Sequence, residues 1–118
     1  MPDNKKILII DDEADLGLLL KDYFARKKNY DVMLTQTLGE GKDLLGTYNP
    51  NILFLDNNLP DDEGWKYAPQ LAKQYPDMYI VLISAYHPHV PVMPTGAHFR
   101  VIEKPIKRSD LDEQFAEL

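Results

Sequence analysis

Five side chains able to do chemistry stand at the ends of short apolar runs. Asp11 and Asp12 follow Lys6-Ile7-Leu8-Ile9-Ile10, and Asp56 closes Asn51-Ile52-Leu53-Phe54-Leu55-Asp56. Ser84 follows Tyr79-Ile80-Val81-Leu82-Ile83, and Lys104 comes two residues after Phe99-Arg100-Val101-Ile102. Two or three carboxylates a few ångströms apart repel one another and are relieved by a hard divalent cation. Mg²⁺ fits such a set, with an octahedral shell of carboxylates, a carbonyl and waters. A lysine and a hydroxyl facing that cation complete a cradle for a dianionic tetrahedral group, which is a phosphoryl group. With no other nucleophile bound, a carboxylate of the site attacks it and an acyl phosphate results.

That chemistry requires the run ends to converge. Short continuous apolar runs read as strands buried on both faces, the kind that parallel sheets contain. Between them the pattern turns helical. Leu16, Leu19, Leu20, Tyr23 and Phe24 recur at helical spacing and form one apolar face. Asp12 is a candidate N-cap for that helix and Asp15 a first-turn anion, so a capping role for Asp11 and Asp12 competes with a metal-binding one. Asp31 to Thr35 reads as a strand, and Leu38 to Tyr48 as a helix weakened by Gly39, Gly41 and Gly46. A further helix carries Ala68, Leu71, Ala72 and Tyr75, and Pro69 requires it to start late or kink. Ser109 is the expected cap of a last helix that buries Leu111, Phe115 and Leu118. Strand and helix alternate throughout, which predicts an α/β fold with helices on both faces of a parallel sheet. All the run ends then lie along one edge, where open α/β sheets hold their ligands.

Composition narrows the class. The 118 residues suit one domain, 1–118. Nineteen acidic against thirteen basic residues give a net charge of −6, a surface that phosphate backbones repel, so no direct nucleic-acid partner is expected. No apolar run reaches membrane-spanning length, and Met1-Pro2-Asp3-Asn4-Lys5-Lys6 lacks a signal-peptide core, so the expected location is cytoplasmic with no membrane partner. The absence of cysteine excludes thiol catalysis and Cys-ligated zinc. His87, His89 and His98 lack a third ligand in register, which argues against zinc at that segment. Trp65, Tyr67 and Tyr75 read as packing residues.

Taken in order, Ile9-Ile10-Asp11-Asp12-Glu13, Leu55-Asp56, Leu59-Pro60, Gly64, Ser84-Ala85 and Lys104-Pro105 resemble the receiver domain of two-component response regulators over essentially the whole chain. The resemblance implies a doubly wound, flavodoxin-like five-stranded sheet of order 2-1-3-4-5. It implies Asp56 as phosphoacceptor, Asp12 as direct Mg²⁺ ligand, Asp11 acting through water and the Asn58 backbone carbonyl as a further ligand. Ser84 and Lys104 would bind phosphoryl oxygens, and Lys104-Pro105 would be cis. The implied donor is a histidine kinase or phosphotransfer protein, with an unidentified output partner and a monomer or phosphorylation-dependent dimer. The protein would catalyse only its own phosphorylation and dephosphorylation and would be no enzyme in the ordinary sense.

Two departures from that pattern concern the readout. Three residues before the lysine, where receivers usually carry Tyr or Phe, stands Val101. Phe99 has the same strand parity but lies about 6.6 Å further back. In place of a fourth helix, His87-Pro88-His89-Val90-Pro91-Val92-Met93-Pro94 carries a proline at every third position, so an irregular fourth helix is expected. These departures motivate an alternative, a pseudo-receiver used as a constitutive docking or dimerisation module. A Mg²⁺-dependent phosphohydrolase is disfavoured, because those with an Asp nucleophile usually carry a second Asp two residues on, where this chain has Asn58.

Overall fold

The computed structural model describes residues 5–85 and 89–116. The elements run β1 (Lys6–Ile10), α1 (Ala14–Lys27), β2 (Asp31–Thr35), α2 (Leu38–Tyr48), β3 (Ile52–Asp56), a 3₁₀ turn (Gly64–Tyr67), α3 (Ala68–Gln74), β4 (Tyr79–Ser84), β5 (Phe99–Glu103) and α4 (Arg108–Gln114). The five strands form one parallel sheet in the order β2-β1-β3-β4-β5. The expected fold class, α/β and doubly wound with order 2-1-3-4-5, is the observed one.

Side chains on alternate sides of each strand build two cores. Ile7, Ile9, Ile52, Phe54, Val81 and Ile83 face α1 and α4, meeting Leu20, Phe24, Leu111 and Phe115. Leu8, Ile10, Leu53, Leu55, Ile80 and Leu82 face α2 and α3, meeting Leu38, Leu45, Trp65 and Leu71. The central strand β3 is buried from Ile52 to Asp56, so its terminal carboxylate is held by packing on both faces. Gly41 lets α2 lie directly on β1, since a Cβ there would meet Ile10 Cδ1 at 2.2 Å.

Pro69 is accommodated as the late-start expectation required: the 3₁₀ turn precedes α3, and the proline sits in its first turn, where no N–H is needed. Two capping expectations need correction. Glu13, not Asp12, occupies the N-cap of α1, and no side chain caps that end. The last helix begins at Arg108 with Lys107 at its N-cap, so Ser109 lies inside it. There Asp110 reaches back to accept the Lys107 N–H at 2.8 Å, fixing the start two residues earlier than Ser109 would. Leu111 and Phe115 are buried as expected, and Leu118 lies outside the described residues.

Between β4 and β5, no helix is present among the described residues. Residues 89–98 run without regular structure apart from a turn at Thr95-Gly96. Met93 and Ala97 pack against the α2/α3 core, while Val92 is 92% exposed. On β5, Phe99 and Val101 are exposed on the face where a fourth helix would lie. His87 lies outside the described residues, and His89 and His98 are exposed.

Candidate functional site

Register brings the sequence-selected residues to one sheet edge. Asp56 pairs with Ile83, which puts Ser84 one position beyond it on the neighbouring strand. The Lys104 N–H donates to the Ser84 carbonyl at 2.9 Å and extends that pairing past β5. On the other side of β3, β1 ends at Ile10 opposite Leu55, so Asp11 and Asp12 open beside Asp56. The Lys104-Pro105 peptide is cis, as the resemblance implied.

Asp11, Asp56 and Ser84 are buried, whereas Asp12 is exposed at the mouth. Asp11, Asp12 and Asp56 offer oxygens that all lie within 4.8 Å of one another. The Lys104 ammonium, its side chain 8% exposed, sits among three carboxylates. Its Nζ is 2.6 Å from Glu13 Oε1, 3.1 Å from Asp11 Oδ2 and 3.4 Å from Asp56 Oδ2. Asp11 Oδ1 accepts the Glu13 N–H at 2.8 Å. Asp11 Oδ2, although within charge-pairing distance of Lys104, has no aligned hydrogen-bond donor and is buried.

The loop after β3 is braced at several points. The Gly64 N–H donates to the Asn57 carbonyl at 2.9 Å, and the Trp65 N–H to Asn57 Oδ1 at 3.2 Å. A Cβ on Gly64 would stand 2.2 Å from the Asp56 carbonyl oxygen, so only glycine lets the chain return this close. Asn58 is exposed and bridges to Glu63 in antiparallel fashion. The Trp65 indole N–H donates to the Leu55 carbonyl at 3.0 Å. Trp65 therefore packs, as expected, and also locks the residue before Asp56.

Burial pushes the Asp56 carboxyl up to about 6, with the Asp11 charge adding to the rise and Lys104 opposing it. Asp11 is likewise raised by burial, against the hydrogen bond from Glu13 and the pull of Lys104. Burial works against the Lys104 charge, but Glu13, Asp11 and Asp56 outweigh it and hold its pKa above the ordinary lysine value. Two carboxyls pushed upward beside a buried, undonated oxygen mark a site short of positive charge. A divalent cation satisfies that deficit. Oxygens around Mg²⁺ at about 2.1 Å are roughly 3 Å apart when adjacent and about 4.2 Å apart when opposite. The carboxylate spacing is within a small contraction of that shell.

Two functional contacts escaped the sequence reading. In the sequence Glu13 stands only as part of a motif, yet it makes the shortest contact to Lys104. Asp61, in the loop after Asp56, accepts the Leu38 and Gly39 N–H groups at 2.9 Å each and so caps α2. Neither contact has a local signal, because each joins residues far apart in the chain, 91 and 23 positions.

A doubly wound sheet whose strand ends converge in carboxylates, a hydroxyl and a lysine defines the class, and comparison with known proteins defines the family. The family model for the response regulator receiver domain matches residues 7–116. The chain belongs to that family. Among solved structures, a response regulator receiver domain protein from Methanospirillum hungatei superposes with a TM-score of 0.77 at 25% identity, covering 98% of this chain and 93% of that one. Response regulator TrrA from Thermotoga maritima, solved with Mg²⁺ and BeF, gives 0.78 at 24% identity, covering 96% and 97%. TrrA in complex with the histidine kinase ThkA gives 0.76 at 25% identity, again covering 96% and 97%. No helix of the described residues is long and apolar enough to cross a membrane.

Proposed function

We propose that this receiver domain takes a phosphoryl group onto Asp56 from a histidine kinase or phosphotransfer protein, with Mg²⁺ bound by the same site. The observation that carries the reading is the grouping of Asp11, Asp12 and Asp56 within 4.8 Å, with Lys104 Nζ 3.4 Å from Asp56. TrrA, a structural relative, is found with a histidine kinase, which supports a kinase as donor here.

Asp11, Asp12, Asp56 and the Asn58 carbonyl would hold the cation. When bound, Mg²⁺ neutralises the carboxylates and the charge that develops on the phosphoryl oxygens. An Asp56 oxygen attacks phosphorus in line with the donor nitrogen. The P–N bond breaks, its electron pair goes to the imidazole, and the new O–P bond makes an aspartyl phosphate. Lys104 offers its N–H groups to one phosphoryl oxygen and the Ser84 hydroxyl to another. The protein thus acts on itself and turns over no separate substrate. We assign it to the cytoplasm, in keeping with a chain that has no cysteine.

Incubation with acetyl phosphate and Mg²⁺ tests the reading. The parent should gain the mass of one phosphoryl group and Asp56→Asn should not. Equal incorporation in both proteins would move the acceptor elsewhere. Exposed Val101 and the helix-free residues 89–98 favour a second reading, a constitutive docking module, and no incorporation in the parent would support it.

A further inference from the structure

We infer that Glu13 is a releasable latch on Lys104: a competing internal anion that holds the ammonium in the resting state and must let go when a phosphoryl group binds. This inference rests on the phosphoacceptor reading and adds a residue to it.

A lysine ammonium has three N–H groups. Three carboxylates surround it, and the Glu13 contact at 2.6 Å is the closest. Of these only Glu13 accepts a hydrogen bond from it, while Asp11 and Asp56 stand at ion-pair distance, so a phosphoryl oxygen arriving at Asp56 draws the ammonium against the Glu13 bond. Asp11 and Asp56 cannot withdraw, because their side chains are 0% and 3% exposed and belong to strand ends. Glu13 can. Its side chain is 57% exposed and swings into water at little cost, while its backbone N–H keeps Asp11 oriented at 2.8 Å. Glu13 therefore sets how readily Lys104 is given to the phosphoryl group without itself touching it. It is a positioning residue, and its hold is water-exposed and hence weakened by salt.

Calorimetric titration of the Mg²⁺-loaded full chain with beryllofluoride tests the latch. Glu13→Gln keeps the shape and removes the competing charge. Its beryllofluoride affinity should rise about threefold, a gain in the range measured for partly exposed ion pairs. Asp15→Asn, which removes an exposed charge from the same helix turn, should leave the affinity near the parent value. In the Lys104→Ala background, Glu13→Gln should lose its advantage, because there is no ammonium left to release. A rise that persists in that background, or that Asp15→Asn matches, would make Glu13 a general source of repulsion and overturn the latch. Unchanged or weakened binding by Glu13→Gln would overturn it as well. No binding by the parent would instead remove the phosphoacceptor reading and the latch with it. Mg²⁺ affinity and thermal midpoint measured on each variant confirm that fold and metal site persist.

Discussion

Asp61 and Leu38 join the loop that follows the site to the start of α2. The carboxylate accepts the Leu38 N–H at 2.9 Å and, through its other oxygen, the Gly39 N–H at the same distance. Both donors belong to the helix end that has no intrahelical acceptors. Thr37 Oγ1 takes a third, the Glu40 N–H, at 3.2 Å. Helix α2 carries three glycines and is held at its start from outside its own sequence.

Those two hydrogen bonds hold the Asp61 carboxyl below the usual aspartate range. A group with a depressed folded-state pKa stabilises above its unfolded pKa, and that contribution is lost as pH falls through the folded value. Asp61→Asn should therefore lower the thermal midpoint at neutral pH. The gap between parent and variant should narrow below about pH 4, near the ordinary aspartate value. Thermal melts of both proteins across that range check the sign, and a gap that widens in acid would contradict it.

Asp12 has no capping duty, since Glu13 holds the N-cap of α1. Asp12→Ala should then weaken Mg²⁺ binding strongly, by tenfold or more on the order seen for lost groups around metals. Loss of a true N-cap would cost about 0.5–2 kcal/mol of stability and leave metal affinity alone. Measuring both on one variant separates the roles, and intact Mg²⁺ affinity would remove Asp12 from the ligand set.

Lys104 is the counter-charge of the resting site and, on our reading, the phosphoryl partner afterwards. Lys104→Ala should still take phosphate on Asp56, because the nucleophile and cation ligands remain. It should transmit the change poorly. Amide exchange of the phosphorylated variant should resemble that of the unphosphorylated parent, and a parent-like phosphorylated pattern would contradict this.

The readout should appear in residues 89–98. Val101 has no ring and one stiff side-chain torsion, so it cannot register the site's state by a large rotation. Pro91 and Pro94 offer no N–H, and the segment forms no regular hydrogen-bond ladder among the described residues. Such a segment opens at low free energy and is easily ordered. With Mg²⁺ and beryllofluoride, its amide exchange should slow by tenfold or more if ordering is worth about 1.4 kcal/mol. Protection confined to the loops after Asp12 and Asp56 would favour the constitutive docking module instead.

Much of this was legible from residue types because a parallel strand buried on both faces writes itself as an apolar run. Ile52 to Leu55 had only one compatible setting, and its closing Asp56 marked the edge. Strand order is different. No run says which neighbour it pairs with, and the order 2-1-3-4-5 came from family resemblance alone. Ser109 is a good cap by type and points to a later start for α4, while Asp110 reaching back to Lys107 sets the start the fold uses. Glu13 on Lys104 and Asp61 on Leu38 were invisible because each joins residues brought together only by the fold, 91 and 23 positions apart. Local pattern carries the elements, and contacts across the sheet edge set how the site is tuned.

Trp65, fastened by its indole N–H to the Leu55 carbonyl, makes the protein its own optical instrument. The chain has a single tryptophan, 4% exposed, and the Leu55 carbonyl that accepts its N–H immediately precedes the strand-ending Asp56. Light absorbed at the red edge of the aromatic band excites that indole and leaves the seven tyrosines dark. A cation or phosphoryl group held at Asp56 would change the field beside the ring, so the emission should follow occupancy without any dye attached. Stopped-flow traces of unlabelled protein then give arrival and departure rates at the site in real time.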